Sequence, residues 1–162
     1  MNYTTEHAIE RILSGQKTQT RRIMAPGDTI VNGDWMSAKF ITKKKVGGIY
    51  RVCPGRGKSA VQYCNPGELL DRPLRHRFIA IVEEDARNIS LHDARAEGFQ
   101  DQIEFWKVWV ELHEPEMCFS TTKPGRFIDS TRKTVPEVQR MLFTYGDPTK
   151  YRCAAITFEV VP

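Results

Sequence analysis

The spacing of the strand-like stretches constrains this chain most. Arg77 to Glu83 alternates through Phe78, Ile79, Ala80, Ile81 and Val82, and Tyr151 to Val161 alternates around Ala155, Thr157 and Glu159. A period of two is the mark of a strand with one face toward a core. Shorter extended runs join them: Lys17 to Ile23, Thr29-Ile30-Val31, Ile49 to Cys53, and Ser59 to Cys64. Asn32-Gly33 between two such runs suits a type I′ turn and reads as a small hairpin. Pro26-Gly27-Asp28 reads as a turn, and Lys43-Lys44-Lys45 as a solvated loop. Helical signals are few. Thr4 or Thr5 can cap a helix through Ile9, Ile12 and Leu13, which Gly15 stops. Ser90-Leu91-His92-Asp93 has capping-box form and opens a short helix ending at Gly98. Asp101 opens another, through Ile103, Trp106, Val110 and His113. Residues 115–150 read as loop, with a short helix after Pro136. Short strands with few helices between them exclude repeated βαβ units. They predict an α+β fold: a compact mixed or antiparallel barrel decorated by helices.

At 162 residues the chain fits one domain, 1–162, long enough to bury a core without disulfides or metals. No apolar run approaches the roughly 18 residues of a membrane span, and the N-terminus lacks a secretory apolar segment. Cys53, Cys64, Cys118 and Cys153 show neither CxxC pairing nor a disulfide-dense pattern, so reduced thiols in a cytoplasm are expected. His7, His76, His92 and His113 add no ligand spacing, so neither a metal nor another cofactor is expected. The net charge is +4, unevenly spread. Residues 1–80 carry 14 Lys and Arg against 6 Asp and Glu, or +8; residues 81–162 carry 10 against 14, or −4. That asymmetry points to a polyanion-facing surface in the first half.

Gly15-Gln16-Lys17-Thr18-Gln19-Thr20-Arg21-Arg22 gathers a lysine, two threonines and two arginines just past the stop of the first helix. Cationic and hydroxyl groups at such a turn suit a phosphate-bearing or nucleobase ligand; a surface strand has the same composition. Pro54-Gly55-Arg56-Gly57-Lys58-Ser59 ends like a Walker A loop, but Val52 stands where its first glycine belongs, so no ATPase follows. Arg56 and Lys58 can still present two cations to a phosphate, or form a basic β-turn. Trp106 and Trp109, at helical spacing with Ile103, Val110 and Leu112, read as core. Trp35 and Tyr50 are the better base-stacking candidates.

These residues carry a resemblance. Gly15, Lys17, Thr20 and Arg22 match the G-x-K-x-x-T-x-R signature of the ASCH domain. The segment Ile12 to Arg22, the loop 54–58, and Asp93-Ala94-Arg95-Ala96-Glu97-Gly98-Phe99 followed by Glu104-Phe105 look like small bacterial and bacteriophage members, over roughly residues 5–112 plus the last strand. The resemblance implies a PUA-like β-barrel and binding of RNA or a modified nucleoside. Some small members hydrolyse the acyl amide of acetylcytidine with a Lys, a Thr and a Glu, while others are linked to RNA cleavage or plain RNA binding. Carried over position by position, the lysine is Lys17, the threonine Thr20 and the acid Glu97. Arg22 would orient the substrate, and Arg21, Arg56, Lys58 and Tyr50 would line the ligand site. The chain is longer than the smallest members, with additions near 33–45, at 54–58 and over 115–150.

The implied chemistry is sound. A desolvated lysine with lowered pKa can take the proton of a threonine hydroxyl, and a carboxylic acid can pass a proton to the leaving amine. Two details bear on it. In an ideal strand Lys17 and Thr20 point to opposite faces, so they converge only if the chain turns between them. Glu97 falls in the last turn of its helix, where the macrodipole disfavours a carboxylate. A non-catalytic RNA-binding module and a ribonuclease remain open beside the amidohydrolase.

Overall fold

The computed structural model describes residues 2–3, 11–12, 14–51, 53–54, 75–115, 117 and 133–161. The expected start of the first helix, the loop carrying Arg56 and Lys58, and the strand Ser59 to Cys64 lie outside them. The elements in order are β1 (Asn2–Tyr3), β2 (Gln19–Ile23), β3 (Thr29–Val31), β4 (Asp34–Met36), β5 (Thr42–Lys44), β6 (Ile49–Arg51), β7 (Cys53–Pro54) and β8 (Arg75–Asp85). Then come α1 (Leu91–Ala96), α2 (Gln102–His113), α3 (Val135–Tyr145) and β9 (Arg152–Val161).

The principal sheet runs β2-β9-β8-β6 and is antiparallel throughout. A bulge between Phe78 and Ala80 shifts the β8–β9 register, and a bulge of this kind bends and twists its strand. A smaller sheet, β3-β4-β5, is antiparallel, and β1 pairs with β7 in parallel. The architecture is α+β, an antiparallel sheet with a few helices, as the strand spacing predicts. Asn32 at φ 51° and Gly33 at φ 82° supply the two left-handed residues that a type I′ turn requires.

Alternation along β8 and β9 gives the sheet two apolar faces. Phe78, Ile81, Ala154, Ile156 and Phe158 pack with Ile12, Met24 and Trp35 on one side. On the other, Cys153 joins Phe105, Trp106, Trp109 and Val110 of α2 and Val138 and Leu142 of α3. Trp106 and Trp109 are therefore core, as their spacing predicts. So is Trp35, whose indole N–H donates to Asp28 at 3.0 Å; a buried indole is not a surface for base stacking. The Cys153 thiol is pushed up to about 12 by burial, which leaves it chemically inert.

One expectation is corrected. Lys43 and Lys44 belong to β5 rather than to a loop. Lys43 pairs with buried Asp28 at 2.6 Å, and the Lys44 amine lies 4.2 Å from the ring centre of Tyr50 in β6, so each lysine has a partner in another segment. Of 115–150 the structure describes 115, 117 and 133–150; there the helix expected after Pro136 starts one residue before it, where Thr134 and Glu137 form a capping box.

His76 is fully buried, 4.6 Å from the Phe158 ring and 6.0 Å from that of Phe78. Burial lowers its pKa from 6.5 to about 4. Between those values the unfolded chain binds a proton that the folded one does not, so stability is full above pH 6.5 and falls toward pH 4. Urea unfolding should show the wild type losing about 2.5 kcal/mol more than His76→Leu between pH 7.5 and 4.5. An equal loss in both would mean that the imidazole titrates normally.

Candidate functional site

The turn after the first helix places Lys17. Gly15, at φ 75°, donates to the Ile12 carbonyl, and the Lys17 N–H returns to Arg11 at 2.8 Å. A left-handed residue there suits glycine. Thr18 N–H then donates to the Ala96 carbonyl at 2.8 Å, which ties this turn to the end of α1. The helix α1 ends in a Schellman motif: Gly98 N–H bonds the Arg95 carbonyl and Phe99 N–H the Ala94 carbonyl, with Gly98 at φ 92°. Glu97 is its C-cap residue, and its carboxylate turns inward.

The two meet. The Lys17 ammonium donates to Glu97 Oε2 at 2.6 Å and to the Glu97 carbonyl at 2.7 Å, across 80 positions of sequence. Both are buried, at 7% and 6% exposure. One cation thus answers both the carboxylate and the negative end of the short helix that disfavours it. Burial holds the Lys17 amine below its ordinary value; Glu97 pulls it back up, and Arg22 and Arg21 push it further down. An amine so placed sheds its proton more readily than a surface lysine.

Arg21 shares the acid. Its guanidinium lies 3.4 Å from Glu97 Oε1, 2.7 Å from Glu84 Oε2 and 3.8 Å from Asp93 Oδ2. Only 4% exposed, it is engaged by three carboxylates of the chain itself, Glu97 among them. Gln19 joins the cluster through its side-chain oxygen, 3.3 Å from Arg21. Sequence reasoning singled out neither Glu84 nor Asp93 as a partner. The signal for Glu84 was an acidic counterpart to the basic run, the Glu83-Glu84-Asp85 stretch that ends β8; Asp93 read only as part of a capping box.

Thr20 is buried and pairs with Ile156 in the β2–β9 ladder, while Arg21 pairs with Ala155. Alternation puts Thr20 on the face of β2 opposite to Arg21. The sequence thus brings Lys17 and Glu97 together, with Thr20 three residues away on the other face of the edge strand. Arg22 is half-buried and close enough to Lys17 to lower its pKa. Tyr50 lies on the far edge strand, stacked on Phe78 at 4.4 Å, with its hydroxyl accepting from Lys45 N–H at 2.9 Å.

A cleft of about 430 Å³ opens beside the pair, lined by Arg11, Gln16, Arg95, Gly98, Phe99 and Gln100. A Cβ at Gly98 would lie 3.0 Å from Arg11 Cδ and 3.7 Å from Lys17 Cβ, so this residue stands between the cleft and the Lys17 stem, and its φ of 92° favours glycine. Among the described residues no group of three or more His, Cys, Asp or Glu is arranged to hold a metal ion. No described helix is long and apolar enough to cross a membrane.

No family model matches this chain, and no curated protein matches it. Among solved structures it is similar to the crystal structure of a DUF984 protein from Enterococcus faecalis V583, with 15% identity and a TM-score of 0.48, over 94% of this chain and 68% of that one.

Proposed function

We propose that this chain is an ASCH-type, PUA-like protein that binds a modified nucleoside or RNA, and that it hydrolyses an acyl amide such as that of acetylcytidine. The observation that carries this reading is the buried Lys17–Glu97 contact of 2.6 Å, at which burial has weakened the lysine's hold on its proton. A lysine so perturbed, paired with a carboxylate next to a cleft, is what acid–base chemistry uses.

In the proposed reaction Lys17 takes the Thr20 hydroxyl proton as its oxygen attacks the acyl carbon. The tetrahedral intermediate collapses with loss of the cytosine amine, which takes a proton from Glu97 as the carbon–nitrogen bond breaks. Water then hydrolyses the acyl-threonine and returns the protons. Lys17 precedes the first residue of β2, so the proposed step requires the chain between them to bring the Thr20 hydroxyl within hydrogen-bond reach of the amine when substrate binds.

Cytidine release from acetylcytidine, followed by liquid chromatography, tests this. Lys17→Met and Thr20→Ala should each slow release at least a hundredfold, with near-ultraviolet circular dichroism showing both still folded. No release by the wild type at high concentration would sink the hydrolase. Steeply salt-dependent binding of an RNA oligomer would then identify the binding module, and cut RNA ends the ribonuclease.

A further inference from the structure

The cleft beside Lys17 and Glu97 has a charge that the acyl-amide chemistry does not use. Arg11 and Arg95 both line it. Arg11 donates to the Gly98 carbonyl, and Arg95 Nε lies 3.4 Å from the Gln100 carbonyl. Neither guanidinium meets a carboxylate among the described residues, in contrast to Arg21, Arg87 and Arg152, each of which has one within 2.7 Å. In this fold arginines close to an acid take it, and these two have been left with neutral carbonyl partners and N–H donors to spare. The Gln16 and Gln100 amides and the Phe99 ring complete the walls.

Two guanidinium groups in one concave site, neither meeting a carboxylate among the described residues, suit a dianionic oxyanion, since each offers parallel N–H donors that match a phosphate edge. The position adds a second constraint. Gly98 lies against both the Arg11 side chain and the Lys17 stem, so the cleft is next to the acid–base pair although neither member lines it. The geometry points to a phosphate subsite: Arg11 and Arg95 hold the phosphate of a phosphorylated nucleoside whose base lies toward Lys17 and Glu97. The preferred ligand is then a nucleotide or a residue within RNA, with the free nucleoside bound more weakly at the same site. This rests on the nucleoside reading of the neighbouring pair for the identity of the base alone; the phosphate contact stands on the cleft itself.

Isothermal titration of the full chain with cytidine and with cytidine 5′-monophosphate tests it. The monophosphate should bind at least tenfold tighter in 50 mM salt, and the gap should narrow as salt rises. Arg95 is exposed, so Arg95→Gln should fold normally while reducing the preference to about twofold, and Arg95→Lys should keep an intermediate one. A matched pair of short RNAs, with and without a 5′-phosphate, separates the sources. If the phosphorylated RNA gains as the mononucleotide does, a terminal phosphate is bound; if both RNAs bind alike and tighter than the mononucleotide, an internal one is. Equal affinity for cytidine and its monophosphate, no binding of any of these, or a preference unchanged by Arg95→Gln would overturn the subsite. Loss of cytidine release from acetylcytidine with the phosphate preference intact would instead remove the hydrolase and leave the subsite standing.

Discussion

Glu97→Ala should destabilise the protein by about 3–5 kcal/mol, because removing one partner of a buried ion pair strands the other. The Lys17 ammonium loses its carboxylate while keeping the carbonyl of residue 97, and Arg21 loses one of its three carboxylates. The chain's response should be asymmetric. Lys17→Met with Glu97→Leu removes both charges and fills the space, and should recover most of the loss, since apolar replacement of a buried pair is often neutral. Urea unfolding of the wild type, the single variants and the double variant gives the coupling directly. A Glu97→Ala protein within about 0.5 kcal/mol of wild type would mean that the pair is solvated in solution, which would also remove the basis for a weakened lysine.

Trp106→Ala should cost about 4 kcal/mol. The indole is wholly buried between α2 and the sheet, and its N–H donates to the Ala86 carbonyl at 2.9 Å. Trp106→Phe separates the two contributions: it keeps most of the apolar volume but leaves that carbonyl unmet, for about 1–2 kcal/mol. Leu112 on the same helix is 58% exposed, and Leu112→Ala should stay within about 0.5 kcal/mol. Equal losses at the two positions would show that the helix packs by a different face.

Local features were the most legible in the sequence. Gly15 and Gly98 end their helices where their conformational freedom predicts, Ser90 and Asp101 cap theirs, and Asn32-Gly33 turns its hairpin. Each depends on a few neighbouring residues, so each can be read from them. The lysines of β5 were misread because their partners, Asp28 and Tyr50, lie in other segments. Arg21 shows the same limit more sharply. Within its own octapeptide it is one of several cations facing a ligand; the acids that engage it lie 63, 72 and 76 residues onward, at Glu84, Asp93 and Glu97. Lys17 and Glu97 were singled out as partners through a family resemblance, and residue spacing alone could not have joined them. The cleft arginines were missed because an exposed arginine in a helical run looks the same whether or not an acid waits nearby.

The strand order also has a meaning in time. The strand β9 fills the slot between β2 and β8, and Gln19 pairs with Thr157, 157 − 19 = 138 residues later. At about 5–20 residues per second, a ribosome takes on the order of ten seconds to deliver that partner. Until then β8 can pair only with β6, and β2 has no ladder to join, so two strands of the sheet wait for the one that lies between them. The nascent chain therefore reaches β9 with only the β6–β8 pairing of this sheet available, and β2 joins the sheet after β9 has been made.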